Sequence, residues 1–178
     1  VYADKWLVGY KPVTAEGEPA PLVAIDVGTV GIAAQALYQC SALDSVILPD
    51  SVRYVNDNAF AECASLVSVA FGTGLETVGS SAFSECTSLR NVITVASTGL
   101  KELGSYAFYG CTSLTNMDIP ASVETIGTYA FYNTAVWNSG QLIRVDNWVV
   151  GYNGTLGATV VIPEGTVGIA NYAFYGCD

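Results

Sequence analysis

Residues 114 to 131 read Leu114-Thr-Asn-Met-Asp-Ile-Pro-Ala-Ser-Val-Glu-Thr-Ile-Gly-Thr-Tyr-Ala-Phe131, and this unit holds the parts of one structural repeat. Its first apolar residues alternate with polar ones, as in a half-buried strand. Pro120 ends the run, because proline cannot donate to a sheet. A second apolar pair, Val123 and Ile126, precedes the Ala-Phe dipeptide. We therefore expect a strand, a bend and a second extended piece before the dipeptide.

The Ala-Phe dipeptide recurs along the chain at a nearly constant interval. Its copies are the variant Ala36-Leu37, then Ala59-Phe60, Ala82-Phe83, Ala107-Phe108, Ala130-Phe131 and Ala173-Phe174. The intervals are 23, 23, 25, 23 and 43 residues. A unit of about 23 residues cannot bury its own apolar side, so successive units must stack and share one core.

The dipeptide lies in a segment with helical spacing. Ala107, Phe108 and Cys111 fall at i, i+1 and i+4, which is one face of a single helical turn. The sequence therefore predicts an α/β-type leucine-rich-repeat solenoid of right-handed stacked coils. Each coil of about 23 residues contributes a rung to a parallel β-sheet face, a second short strand and a single helical turn, with rungs about 4.8 Å apart.

The unit quoted above resembles the BspA-like leucine-rich repeat, a bacterial cell-surface type with Ile-Pro, Ile-Gly and Ala-Phe landmarks. With its insertions the resemblance covers nearly the whole chain. It implies an extracellular or cell-surface protein that adheres to host matrix proteins or to other cells. It also implies that the strand face is a binding face.

Two similar segments interrupt the repeat. Tyr2 to Tyr10 and Arg144 to Tyr152 share the spacing of Asp, Trp, Val-Gly and Tyr, and Asp146-Asn147 suits a tight hairpin turn. We expect a hairpin and loop at 1-22, stacked repeats at 23-137, an inserted hairpin at 138-159 and a last partial repeat at 160-178. Residues 11–22 are expected to form an exposed loop, and the whole 1-178 to be one repeat domain from a longer protein.

Composition excludes several functional classes. The chain of 178 residues is 51% hydrophobic and 12% charged, with no histidine and a net charge of −10. A charge of this sign disfavours nucleic acid, which needs a basic surface. The longest apolar runs have four residues, against about 18 for a membrane span, so we expect no membrane insertion of this segment.

The five cysteines recur once per coil rather than in the close pairs of a zinc site. We interpret Cys40, Cys63, Cys86, Cys111 and Cys177 as a column of buried thiols, and we expect no metal and no cofactor. A column of alternating charge, Arg53, Glu76, Lys101 and Glu124, predicts ion pairs between neighbouring coils.

Catalysis has little support in the sequence. Without histidine the chain lacks the usual general base near neutral pH. Glu62 and Glu85 occupy the same repeat position in adjacent coils and could lie roughly 5 Å apart, as in a retaining glycosidase. The alternative is two solvated surface acids, and we expect the chain not to be an enzyme.

Aromatic side chains form the first candidate ligand surface. Two columns of tyrosines flank the helical turn in the later coils, joined by two tryptophans near the hairpin: Tyr106, Tyr129 and Tyr172; Tyr109, Tyr132 and Tyr175; Trp137 and Trp148. Rigid amphipathic rings suit recognition of a protein or a glycan. The alternative is that these rings only pack against neighbouring coils.

The outward positions of the strand face form the second candidate surface: Ser45, Ile47, Ser68, Asn91, Ile93, Asn116 and Asp118. These surfaces predict a non-catalytic protein-interaction module, with a glycan as an alternative ligand. The resemblance to the BspA-like repeat implies adhesion, with a host or microbial surface protein as the partner. Two further hypotheses remain: a structural spacer or scaffold in a larger surface protein, and a surface that binds or hydrolyses glycans.

Overall fold

The computed structural model describes residues 1–9, 23–95, 98–138, 141–155, 157 and 159–177. The loop predicted at 11–22 lies outside the described residues. The described residues form fourteen strands, in chain order: β1 (Tyr2–Ala3), β2 (Trp6–Leu7), β3 (Val23–Ala24), β4 (Gly31–Ile32), β5 (Ser45–Ile47), β6 (Tyr54–Val55), β7 (Ser68–Ala70), β8 (Thr77–Val78), β9 (Asn91–Ile93), β10 (Glu102–Leu103), β11 (Thr125–Ile126), β12 (Leu142–Val145), β13 (Trp148–Tyr152) and β14 (Gly168–Ile169).

The strands confirm a stacked solenoid. We number its coils one to six by the dipeptides from Ala36-Leu37 to Ala173-Phe174. One sheet has the order β3-β5-β7-β9, and a second has the order β1-β2-β4-β6-β8-β10-β11. All their pairings are parallel except that of β1 with β2. Equivalent positions pair across coils, as Ser45 with Ser68 and Ser68 with Asn91.

The core is a set of like-on-like columns between the two sheets. The rings of Phe60, Phe83, Phe108 and Phe131 stack at centroid distances of 4.9, 5.5 and 5.4 Å and are fully buried. The leucine that recurs in successive repeats supplies an adjoining buried column: Leu43, Leu66, Leu89 and Leu114. Burial of this surface is what holds one coil on the next.

The predicted helical turn takes a different backbone course. In coil two the N–H groups of Ala59 and Ala61 donate to the carbonyls of residues 56 and 58, three residues back in the chain. The N–H groups of Phe60 and Glu62 donate instead to Ala82 and Ser84 of the next coil. An α-helix would direct every donor along its own axis, so it could not make the bonds between coils. The described residues contain one helix, the 3-10 segment Ala135–Asn138.

Successive N–H groups of the turn donate alternately to their own coil and to the next coil. This pattern requires left-handed backbone at two positions in every coil, and the two positions are four residues apart. In coil two these are Asn58 (φ 55°) and Glu62 (φ 60°). In coil four they are Tyr106 (φ 58°) and Gly110 (φ 71°). Helical periodicity in the sequence therefore reports which side chains face the core, and it does not report this backbone.

Two hairpins join the solenoid through the same contact, a tryptophan opposite a glycine. β1 and β2 are antiparallel, as are β12 and β13. The inner strand of each hairpin then pairs in parallel with a coil, Trp6 opposite Gly31 and Trp148 opposite Gly168. Each indole ring occupies the space where a side chain on the opposite glycine would begin. This contact explains why a glycine precedes the isoleucine in both Gly-Thr-Val-Gly-Ile segments.

In the described part of the chain, no helix has the length and apolarity needed to cross a membrane.

Candidate functional site

Four tyrosines of coils four and five form a compact aromatic surface, which we call the tyrosine tile: Tyr106, Tyr109, Tyr129 and Tyr132. Along the solenoid, Tyr106 lies 5.7 Å from Tyr129 and Tyr109 lies 5.9 Å from Tyr132, measured between ring centroids. Within each coil the rings are 5.7 and 5.4 Å apart and steeply inclined, at 66° and 72°. The four side chains line an open depression of about 240 Å³.

The tile is bounded on one side by Trp137, whose ring lies 4.7 Å from that of Tyr132. Trp137 also covers Gly151 of the second hairpin, where a side chain would collide with its ring. The hairpin therefore positions the tryptophan at the edge of the tile. Trp137 is half-buried, whereas Tyr106 and Tyr132 are about 40% exposed.

Two parts of the predicted aromatic surface are corrected. Trp148 is only 6% exposed, because it packs against Gly168 inside the solenoid. Tyr172 and Tyr175 pair with each other at 5.2 Å, but among the described residues their rings do not meet those of coil five. The inserted hairpin, which supplies the strand paired with β14, displaces the last coil from the tyrosine columns.

Tyr106 and Tyr129 occupy left-handed backbone, with φ of 58° and 54°. The same repeat position holds Asn58 and Ser81 in coils two and three. Asparagine tolerates this conformation better than a bulky residue does, because its short side chain bonds locally. The two tyrosines therefore sit where backbone geometry alone favours a smaller residue, although every coil has left-handed backbone at this position.

The two carboxylates proposed as a catalytic pair point to different coils. Glu62 accepts hydrogen bonds from Gln39 Nε2 (2.8 Å) and Tyr38 Oη (2.6 Å) of coil one. Glu85 lies instead over Gly110 of coil four, where a Cβ would fall 2.5 to 2.7 Å from its carboxylate. The hydrogen bonds from Gln39 and Tyr38 lower the pKa of Glu62, whereas a general acid needs a raised one. The arrangement does not provide the acid and nucleophile of a retaining glycosidase.

Of the predicted column of ion pairs, one pair forms. Among the described residues the single ion pair joins Arg53 Nη1 to Glu76 Oε1 at 3.5 Å. Lys101 and Glu124 keep the predicted register, since the Glu124 N–H donates to the Lys101 carbonyl, but their charged groups do not pair. An exposed ion pair is only slightly more favourable than two hydrated charges. Stacking of the coils therefore aligns the backbones of Lys101 and Glu124 without bringing their charged groups together.

The strand face is well formed in coils one to four. Ser45, Ser68 and Asn91 align across it, and Ile47 and Ile93 are 60% and 53% exposed at its outer positions. These side chains make a mixed, shallow surface. They bring together no set of polar groups around a depression except at the last described rung.

The predicted fifth rung, residues 114–119, does not form a strand. No backbone hydrogen bond joins it to β9, although the structure describes both segments, and an open gap of about 310 Å³ separates Asn91 and Ile93 from Asn116 and Asp118. Coil four has Thr94 where coils two and three have the buried Leu48 and Phe71. The Thr94 hydroxyl donates to the Asp118 carbonyl (3.0 Å), so a side-chain hydrogen bond joins the two segments where the earlier coils are joined by backbone hydrogen bonds.

The second hairpin closes the outer side of that rung. Asp146, at its tip, accepts a hydrogen bond from the Ile119 N–H (3.1 Å). In coils two and three the corresponding N–H donates to the next coil, as Leu48 to Ala70. The Asp146 carboxylate thus takes the place of the backbone carbonyl that the next coil supplies in coils two and three.

The thiol column is confirmed for three cysteines. Cys63, Cys86 and Cys111 are fully buried, unbonded thiols, and each donates to a carbonyl of the preceding coil at 3.1 Å. Burial raises the pKa of Cys111 to about 12. Cys40 and Cys177 are half-buried. No cluster of three or more metal-binding side chains occurs among the residues described.

We expect thiol reactivity to separate these two groups. At pH 8 the native chain should react with a thiol reagent at Cys40 and Cys177, and the three buried thiols should react only after unfolding, because packing in the core keeps the reagent away from them. Counting labelled cysteines by mass spectrometry before and after guanidinium addition checks this. Rapid native labelling of Cys86 would contradict the packing of the column.

Sequence reasoning missed one feature of the aromatic site, the approach of Glu85 to the tile. Gly110 directly follows Tyr109, and it replaces the Glu62 and Glu85 of the earlier coils at the same repeat position. That substitution was the available signal, because a glycine there leaves room for the Glu85 side chain of the neighbouring coil.

Comparison with known proteins identifies the repeat over most of the solenoid. A model of the BspA-type leucine-rich repeat region matches residues 30–141 in six copies. No curated protein matches the chain in sequence.

Solved structures of bacterial repeat proteins resemble the chain. The leucine-rich repeat protein of T. pallidum matches with a TM-score of 0.59 and 26% identity over 85% of this chain and 67% of its own. A leucine-rich cell surface protein of Faecalibacterium prausnitzii A2-165 matches with 0.54 and 25% identity over 89% of this chain and 50% of its own. A leucine-rich repeat protein of Bacteroides ovatus ATCC 8483, at 0.51 and 20% identity, covers 99% of this chain and 56% of its own, and shows the fold alone. The chain thus spans about half to two thirds of these proteins.

Proposed function

The chain belongs to the BspA-type leucine-rich repeat family, and from that membership we propose that it is a non-catalytic, extracellular protein-interaction module of a bacterial surface protein, which adheres to a partner through the tyrosine tile. A cell-surface location is supported by the description of the F. prausnitzii relative as a cell surface protein. The observation that carries the proposal is the tile itself.

The tile has the properties of a recognition surface. Its rings are held in place by contacts on several sides, so little side-chain entropy is lost on binding, and each phenol keeps a polar end for hydrogen bonds. The tyrosines are also partly exposed rather than buried in the core. Packing alone does not need them, because coils two and three stack with Asn58, Ala61, Ser81 and Ser84 at the same positions.

The repeat itself supplies a variant that removes the tile without disturbing the fold. Tyr106→Asn and Tyr129→Asn introduce the residue of coil two at a left-handed position, and Tyr109→Ala and Tyr132→Ala introduce the Ala61 of the same coil. Circular dichroism and thermal unfolding should show a folded chain. Replacement of Tyr172 and Tyr175 in the same manner is the matched control outside the tile.

The test is a binding panel of purified host matrix proteins, microbial surface proteins and glycans. We expect the wild type to bind a protein, the tile variant to bind it at least about tenfold more weakly, as loss of aromatic hot spots entails, and the Tyr172 and Tyr175 control to bind normally. If the tile variant bound as tightly as the wild type, the binding surface would be the strand face instead of the tile. A panel without any ligand would favour the structural spacer.

A further inference from the structure

We propose that the tyrosine tile and Glu85 together form a binding site for an arginine side chain of the partner protein. This inference rests on the proposed function, since it names the chemistry that the tile recognises. It is drawn from the placement of four rings around one depression and of the Glu85 carboxylate over Gly110, the residue that follows Tyr109.

Ring spacing allows one cation to interact with all four tyrosines. The centroid distances of 5.7, 5.9, 5.7 and 5.4 Å are four nearly equal sides. A square with such sides has its centre about 4 Å from each corner, so a cation as much as about 4 Å above that centre would remain within the roughly 6 Å over which ring faces attract positive charge. Within each coil the ring planes meet at 66° and 72°, so the face of one ring lies towards the edge of its neighbour, whereas Tyr109 and Tyr132 are parallel within 9°.

Glu85 supplies a negative charge beside the backbone of coil four, at the residue next in the chain to Tyr109. Its carboxylate lies over Gly110, the residue that follows Tyr109, and its N–H donates to the Tyr109 carbonyl (2.6 Å). Glu85 is exposed, and among the described residues neither a hydrogen bond nor an ion pair engages its carboxylate. Glu62, at the same repeat position, is by contrast already bonded to Tyr38 and Gln39.

The surrounding charge favours a cationic partner. The turn segments of all six coils, which form the ridge that bears the tile, contain no lysine or arginine: residues 35–41, 58–64, 81–87, 105–112, 128–134 and 171–177. The charged residues in them are Glu62 and Glu85, and the chain as a whole has a net charge of −10. These segments therefore contain no cation of their own to compete for the rings, and the overall field attracts a basic segment.

Arginine fits this site better than other cations. Its guanidinium group is planar, stacks on aromatic faces and donates two parallel hydrogen bonds to a carboxylate. A quaternary ammonium group would gain the ring contacts, but it has no N–H to donate to Glu85. Lysine could reach Glu85, but it is a strongly hydrated point charge that stacks poorly.

The experiment is an NMR titration of the whole chain with a capped pentapeptide that has one arginine between glycines. The same peptide with citrulline, which is neutral and nearly isosteric, is the control ligand, and lysine and choline are the competing cations. We expect shifts in the tile resonances with the arginine peptide, at millimolar affinity or weaker for an exposed cation–π contact, and little response to citrulline.

Two matched variants test the part played by Glu85. Glu85→Gln should lower the affinity for the arginine peptide about tenfold, in line with loss of a charge-assisted hydrogen bond. Glu62→Gln should leave that affinity unchanged. Both residues are exposed, so both variants should fold. The wild type should bind the arginine peptide more tightly than choline, and Glu85→Gln should remove that preference.

The outcomes separate this inference from the function on which it rests. Equal affinity for the arginine and citrulline peptides, or unchanged affinity in Glu85→Gln, would overturn the arginine site. If the tile variant still loses its protein partner in that case, the proposed function stands with a neutral ligand group. Equal binding of choline and arginine would replace the site with one for quaternary ammonium groups.

Discussion

Replacing Phe108 by alanine is expected to destabilise the chain by about 3 to 5 kcal/mol, the range for removal of a fully buried aromatic ring. Phe108 is completely buried between Phe83 and Phe131, at 5.5 and 5.4 Å. Its loss therefore removes both ring contacts of one rung in the middle of the stack. Neighbouring coils cannot close the cavity, because their backbones are held at a fixed spacing by the hydrogen bonds between them.

The measurement is the free energy of unfolding from denaturant titration of wild type and variant. Ile47→Ala is the control, since Ile47 is 60% exposed on the strand face and should change stability by less than about 0.5 kcal/mol. Because each coil contacts only its neighbours, Phe108→Ala should also make unfolding less cooperative, with coils on either side unfolding separately. A loss below about 1 kcal/mol would contradict the stacking of the phenylalanines.

Replacing Gly127 by alanine should destabilise the chain by about 3 kcal/mol, the upper end of the range for overpacking. A Cβ at Gly127 would lie 2.6 Å from the carbonyl carbon of Gly104 and 2.7 Å from the Cα of Ser105. These are backbone atoms of the preceding coil, so no side-chain rotation relieves the collision. The coils must separate, which stretches the hydrogen bond from the Gly127 N–H to the Leu103 carbonyl (2.8 Å).

Gly99→Ala is the matched control for that substitution. The nearest atoms to a Cβ at Gly99 are carbonyl oxygens at 3.8 and 4.0 Å. Alanine there should be neutral or stabilise by up to about 1 kcal/mol, because it restricts the unfolded chain. Thermal unfolding of both variants distinguishes a collision between coils from a general effect of losing glycine.

Much of the fold was predictable because its strongest signal is local and repeated. The interval between Ala-Phe dipeptides set the coil length, and the apolar columns of phenylalanine, leucine and cysteine followed from stacking equal units. The family resemblance rested on the same residues, and the match to the BspA-type repeat over residues 30–141 confirms it. Two parts of the fold were wrong: the backbone of the turn, since side-chain periodicity does not distinguish a helix from alternating turns, and the strand expected at residues 114–119, which does not form.

The candidate site was predictable in part. Stacking of Tyr106 on Tyr129 and of Tyr109 on Tyr132 followed from the repeat. The burial of Trp148 and the separation of Tyr172 and Tyr175 from the other tyrosines did not follow, because both depend on the path of the inserted hairpin. The role of that hairpin in positioning Trp137 could not be derived from spacing either.

Sequence alone establishes which residues repeat and therefore which side chains stack, because a one-dimensional array brings each position next to its equivalent one coil away. Tertiary structure decides what happens where the array is interrupted or where a side chain can choose between two neighbours. Glu62 bonds back to coil one, whereas Glu85 extends forward over Gly110, although the two share one repeat position. That choice depends on the hydrogen-bond donors of Tyr38 and Gln39 on one side and on the space above a glycine on the other. Such local differences between neighbouring coils, rather than the repeat itself, set the chemistry of this surface.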